Sequence, residues 1–70
     1  MRRETVSSSA VFGVGYDRAT RTLEIEFRSG RLYRYHDVGP DVFEQLMSAP
    51  SKGRFMNARI RNEFRFTRIG

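Results

Sequence analysis

The sequence predicts an α+β fold: a small curled antiparallel sheet, made of a three-strand meander and a short C-terminal strand, packed with two short helices. Three observations point there. Between residues 10 and 36, apolar and polar side chains alternate with period 2 in three runs separated by short turns, the pattern of antiparallel strands. After Pro40 the apolar spacing changes to three and four, the period of a helix. At 70 residues, 39% hydrophobic and 13% aromatic, the chain has material for one core and none for a second.

Residues 1–8 show no periodicity and run into three serines, so they read as a mobile N-terminal arm, with a single domain over 9–70. From Ser9, Ala10, Phe12, Val14 and Tyr16 alternate with Val11, Gly13 and Gly15, which predicts a strand with one bulky and one small face. Gly13-Val14-Gly15-Tyr16 lacks the third glycine, the preceding strand and the following helix of a dinucleotide-binding loop. A polar turn over 17–21 leads to the second strand, where Leu23, Ile25 and Phe27 alternate with Glu24, Glu26 and Arg28. The third strand covers Leu32 to His36.

The register of the second and third strands follows from charge and burial. A two-residue loop at Ser29-Gly30 would set Arg28 against Arg31 and place both tyrosines beside Glu24 and Glu26. A three-residue loop with Gly30 in the left-handed conformation pairs Ile25 with Tyr33, Leu23 with Tyr35 and Glu24 with Arg34. The second register is the one expected.

Pro40 and Asp41 suit the start of a helix whose Val42, Phe43, Leu46 and Met47 share a face. Ala49-Pro50-Ser51 stops it, and Ser51 is placed to cap a second helix over 52–63. At ~100° per residue its stripe is Met56, Ile60 and Phe64, with Arg54, Ala58 and Arg61 near the opposite side. Phe64, Phe66 and Ile69 among Arg65 and Arg68 predict the closing strand.

The net charge of +5 has an address. Residues 1–50 are neutral, whereas Lys52, Arg54, Arg59, Arg61, Arg65 and Arg68 face only Glu63 in residues 51–70. Twelve of the thirteen bases are arginine, whose planar fork matches phosphate geometry and stacks on flat rings. Absence of cysteine and a single histidine exclude a disulfide framework and leave no basis for a metal site or a bound cofactor. No apolar run reaches the ~18 residues of a membrane span, and MRRETVSSS lacks a signal-like apolar stretch, so a cytoplasmic location without membrane contact is expected.

An ordered set of residues resembles one known family. Ser8-Ser9, Val14-Gly15-Tyr16-Asp17, Leu23 through Phe27, Ser29-Gly30, Tyr33-Arg34-Tyr35 and the run from Ala49 to Asn57 with Ile60-Arg61 follow in the order seen in KTSC domains, small modules named from the C-terminal extension of some lysyl-tRNA synthetases. The strongest parts are Tyr33-x-Tyr35 and Ser51-x-Gly53-x-Phe55-x-Asn57, with Ile60 and Arg61 beyond. The sequence departs from the family pattern at Gly39, where proline is frequent, and at Met56, where an aromatic is expected. The resemblance covers residues 8 to 69 and implies a role proposed for the family, RNA binding; such domains also occur alone.

The residues themselves offer candidates for that role. Lys52, Arg54, Arg61, Arg65 and Arg68 form a basic C-terminal region suited to phosphate, with Arg31, Arg34, Tyr33 and Tyr35 adding local preference. A helix start at Lys52 would add unpaired N–H groups, and Gly53 would let a ligand approach. The competing reading of the tyrosines is core, since the expected register places both on the buried face. Asn57 is expected to bond a loop backbone. His36 and Asp37 point to opposite faces and make no catalytic dyad, and Glu24 and Glu26 read as ion pairs, so no enzymatic activity is expected. The expectation is a non-enzymatic module binding RNA or another polyanion. Its alternative is a protein-interaction or assembly module using an aromatic patch or sheet edge, for which a homodimer is compatible with the sequence but not called for.

Overall fold

The computed structural model describes residues 3–70. Five antiparallel strands, β1 (Arg3–Thr5), β2 (Val11–Asp17), β3 (Thr22–Phe27), β4 (Leu32–Tyr35) and β5 (Phe66–Arg68), lie in the order β1-β2-β3-β4-β5 in one open sheet. Between β4 and β5 the chain forms helix α1 (Pro40–Ser48) and then α2 (Lys52–Phe55), which continues into a wider π-helical turn over Met56–Ile60. The architecture is the expected α+β.

The β3–β4 hairpin has the register argued from charge and burial. Leu23 pairs with Tyr35, Glu24 with Arg34 and Ile25 with Tyr33. Gly30 sits at φ 93°, and Phe27 N donates to Arg31 O at 2.9 Å, closing the three-residue loop. β5 then adds to the free edge of β4, pairing Phe66 with Tyr35 and Arg68 with Tyr33.

The core lies between the sheet and the helical layer. Val11, Val14, Leu23, Ile25, Val38, Leu46 and Ile60 are almost fully buried. The face-sharing residues of α1 divide between Val42 and Leu46, which are buried, and Phe43 and Met47, which pack at the edge of the core. Tyr16 stacks on Phe43 with ring centroids 4.6 Å apart, and its hydroxyl donates to Val38 O at 2.5 Å. Ser51 caps α2 by accepting from Arg54 N at 3.3 Å.

Three expectations need correction. Residues 3–5, read as part of an arm, form β1 on β2, and Val6 behind them is buried. The strand is made by partners distant in sequence: Arg3 reaches across β2 at Gly15 to ion-pair with Glu24 and lies 3.4 Å from Glu26. The division of β2 into one bulky and one small face does not hold along its whole length. A β-bulge between Val11 and Gly13 turns Val11 inward along with Val14 and leaves Phe12 exposed, under the Arg28 guanidinium at 5.0 Å. The second helix ends at Ile60 rather than Glu63, and its last turn is π-helical, with Arg61 N donating to Met56 O at 2.8 Å.

Candidate nucleic-acid interface

The helical layer covers only part of the sheet. Along β3 the inward side chains pass from Leu23 and Ile25, both sealed, to half-buried Phe27; opposite them the series is buried Tyr35, half-buried Tyr33 and exposed Arg31. The core face therefore runs out toward the hairpin tip. There it becomes one wall of a cavity of about 410 Å³.

The floor is aromatic. Tyr33 meets Phe27, Tyr35 and Phe66 edge to face, with centroids 5.5, 6.3 and 5.3 Å apart, and Met56 completes it. The rim is cationic and polar: Arg28, Ser29 and Arg31 come from the hairpin tip, Asn57 and Arg61 from the π turn, and Ser9 and Ala10 from the segment before β2. No carboxylate lines it.

The rim arginines differ in their ties. Arg28 Nε donates to Ser8 O at 3.1 Å, and its guanidinium lies over Phe12, so it is held at the edge. Arg61 Nη1 lies 3.5 Å from Asn57 Oδ1. Arg31 has no side-chain partner among the described residues, and neither Arg31 nor Arg61 has an acidic partner there. Three exposed guanidinium groups, that of Arg28 held at the edge and those of Arg31 and Arg61 beyond it, thus rim a concave surface without a counter-charge.

Tyr35 is the deepest polar group of the site, with 4% of its surface exposed. Its hydroxyl has no hydrogen-bond partner among the described residues, yet no side-chain polar atom there is both sealed and unpartnered, so the phenol opens to the cavity. Burial pushes it above its ordinary value of 10.0, the neighbouring Tyr33 adds to the rise, and Arg61 opposes it.

The structure gathers some of the expected site residues and disperses others. Tyr33, Tyr35, Arg31, Asn57 and Arg61 meet at the cavity. Lys52 does not: its Nζ donates to Met47 O at 3.2 Å and Ala49 O at 3.5 Å, capping the end of α1. Arg34 is held 3.0 Å from Glu24, Arg65 lies 3.2 Å from Asp37, and Arg68 donates to Gly70 O at 3.0 Å on the edge strand. Arg54 is exposed outside the cavity.

Two motif residues have other roles than expected. A Cβ on Gly53 would lie 3.1 Å from Ala10 Cβ, so the glycine lets α2 approach the chain before β2 rather than admitting a ligand. Asn57 is exposed and meets Arg61, not a loop backbone. Ser51 is a cap, Phe55 packs against the core and Ile60 is within it. The sequence reading does not single out Arg28, Ser29, Phe27 and Phe66 as cavity residues, although Phe27 and Arg31 continue the alternation that sets Ile25 opposite Tyr33.

Among the described residues no group of three His, Cys, Asp or Glu side chains could hold a metal ion, and no helix is long and apolar enough to cross a membrane. His36 bonds Thr67 Oγ1 at 2.9 Å while Asp37 faces Arg65, so the two do not act as a pair.

An open five-stranded sheet, partly covered by helices and ending in an arginine-rimmed aromatic cavity, defines a class of small α+β domain with a concave site at the uncovered end of the sheet. Comparison with known proteins identifies the family. The model of the KTSC domain matches residues 7–64, and the chain belongs to that family. It is 41% identical to an uncharacterised protein of Stutzerimonas stutzeri over 99% of both chains. It is also 43% identical to a lysine–tRNA ligase of Nostoc punctiforme, with 87% of this chain covering 11% of the ligase. The crystal structure of a KTSC domain protein from Yersinia pestis superposes with a TM-score of 0.95 at 42% identity, covering 99% of this chain and 97% of the other.

Proposed function

We propose that this KTSC domain is a non-enzymatic, cytoplasmic RNA-binding module whose site is the cavity between the hairpin tip and the π turn. The observation that carries the reading is the convergence of Arg31 and Arg61, both without acidic partners among the described residues, over a floor of Tyr33, Tyr35 and Phe66. Arginine supplies bidentate phosphate contacts, and aromatic rings supply base contacts worth roughly 1–3 kcal/mol each. The likeness to part of a protein named as a lysine–tRNA ligase supports the same direction.

Labelled single-stranded RNA, duplex RNA and DNA titrated at two salt concentrations test this. Single-stranded RNA is expected to bind and to weaken with salt. Arg31→Gln with Arg61→Gln should lower affinity by about tenfold or more, whereas Arg54→Gln with Arg65→Gln, outside the cavity, should change it by about twofold at most. Equal loss from both pairs would restore the diffuse C-terminal basic surface, and no binding at low salt would remove the nucleic-acid reading. The second reading, a protein-interaction module, draws on the open edges at β1 and β5 and on Phe66, 54% exposed within the latter.

A further inference from the structure

The shape of the cavity bears on how much of a strand it can hold. Its volume, about 410 Å³, is at the small end of the roughly 300–1,000 Å³ typical of ligand pockets. Three separate segments wall it: the hairpin tip, the π turn and the chain before β2. That makes a well rather than a channel.

The rings beneath it make no flat platform. Tyr33 meets Tyr35 at an interplanar angle of 65° and Phe66 at 77°. Successive bases need faces offered side by side, and here each ring presents its face or edge to another ring of the protein. One base entering from above finds a ring surface, the Met56 side chain and a phenol with no protein partner among the described residues. Its phosphate remains at the rim.

We propose, building on the RNA-binding reading above, that the cavity takes a single extruded nucleotide, with the base on Tyr33, Phe66 and Met56, its polar edge at Tyr35 Oη and Asn57, and its phosphate between Arg31 and Arg61. The chemistry selects an unpaired nucleotide of a bulge, loop or strand end over a paired helix. A paired base cannot reach the floor, and extrusion costs least where pairing is already absent.

The test compares two RNA hairpins differing by one bulged 2-aminopurine nucleotide, together with adenosine 5′-monophosphate and inorganic phosphate as competitors. The bulged hairpin should bind about tenfold tighter than the paired one, with a change in 2-aminopurine fluorescence. Tyr35→Phe keeps the buried ring and Asn57→Ala alters an exposed position; each should reduce that preference, read as the ratio of bulged to paired affinity. The mononucleotide should displace the bulged hairpin at concentrations where phosphate does not. Equal binding of both hairpins, each weakened by Arg31→Gln with Arg61→Gln, would overturn the single-nucleotide site and leave the RNA-binding reading intact. If no RNA binds at low salt, the RNA-binding reading fails, and absence of amide shifts at residues 27–35 and 56–61 on adding the mononucleotide would overturn this proposal as well.

Discussion

Glu24 shows how one residue can hold the outer face of the sheet. It is 3% exposed and ion-pairs with Arg3 from β1 and with Arg34, 3.0 Å away on β4. A buried carboxylate persists only where partners replace its water, and both arginines keep part of their surface in solvent, which moderates the value of each pair. Glu24→Gln removes both ion pairs at once and should destabilise by about 1–3 kcal/mol, seen as a Tm lower by several degrees. Tyr35 makes a different residue-scale prediction. Because its folded phenol is raised above 10.0, stability is full below that pH and falls as pH rises from 10.0 through the folded value, since the unfolded chain releases its proton first. Denaturation midpoints should fall more steeply above pH 10 for the native chain than for Tyr35→Phe. Arg61 opposes the shift, so Arg61→Gln should move the Tyr35 titration, followed by phenolate absorbance, to still higher pH.

At the scale of elements the hairpin was legible and the second helix was only half so. The hairpin register followed from residues directly opposite each other, Glu24 with Arg34 and Ile25 with Tyr33, because cross-strand neighbours are fixed once the loop length is chosen. A Cβ at Gly30 would meet nothing within 4 Å, so the cost of Gly30→Ala is conformational alone. At φ 93° that cost should be about 1–2 kcal/mol by urea denaturation, with the cavity's ligand binding unchanged. The second helix was read at the α period, which sets Arg61 near the side opposite Met56. The π turn rotates less per residue, so Arg61 comes round toward the side of Met56 and onto the cavity rim, still neighbouring Asn57 four residues before it. Nothing local in Met56–Ile60 announces the wider turn. Likewise the bulge in β2 and the strand β1 exist because of what lies across from them, and the alternation of a single segment does not carry that information.

At the scale of the molecule, the +5 that the sequence concentrates in residues 51–70 disperses in space. Lys52 caps α1, Arg59 lies 3.1 Å from Glu63, Arg65 faces Asp37, Arg68 lies along the sheet edge and Arg54 is exposed outside the cavity, while Arg61 joins Arg31 from the other half of the chain. The number of phosphates engaged distinguishes the two pictures. With Arg31 and Arg61 as the phosphate contacts, the logarithm of the RNA binding constant should fall with log salt at a slope of about −1.4, whereas five engaged bases would give about −3.5. What the sequence by itself determined was the α+β class, the hairpin register, the cap at Ser51 and the family, because periodicity, turn chemistry and an ordered motif are properties of neighbouring residues. What only the tertiary structure decided was which charges are neutralised and where the helical layer stops. Those depend on how the segments meet in space, as where Arg3 reaches Glu24 and Arg65 reaches Asp37, and it is the uncovered end of the sheet, rather than any one motif, that creates the cavity.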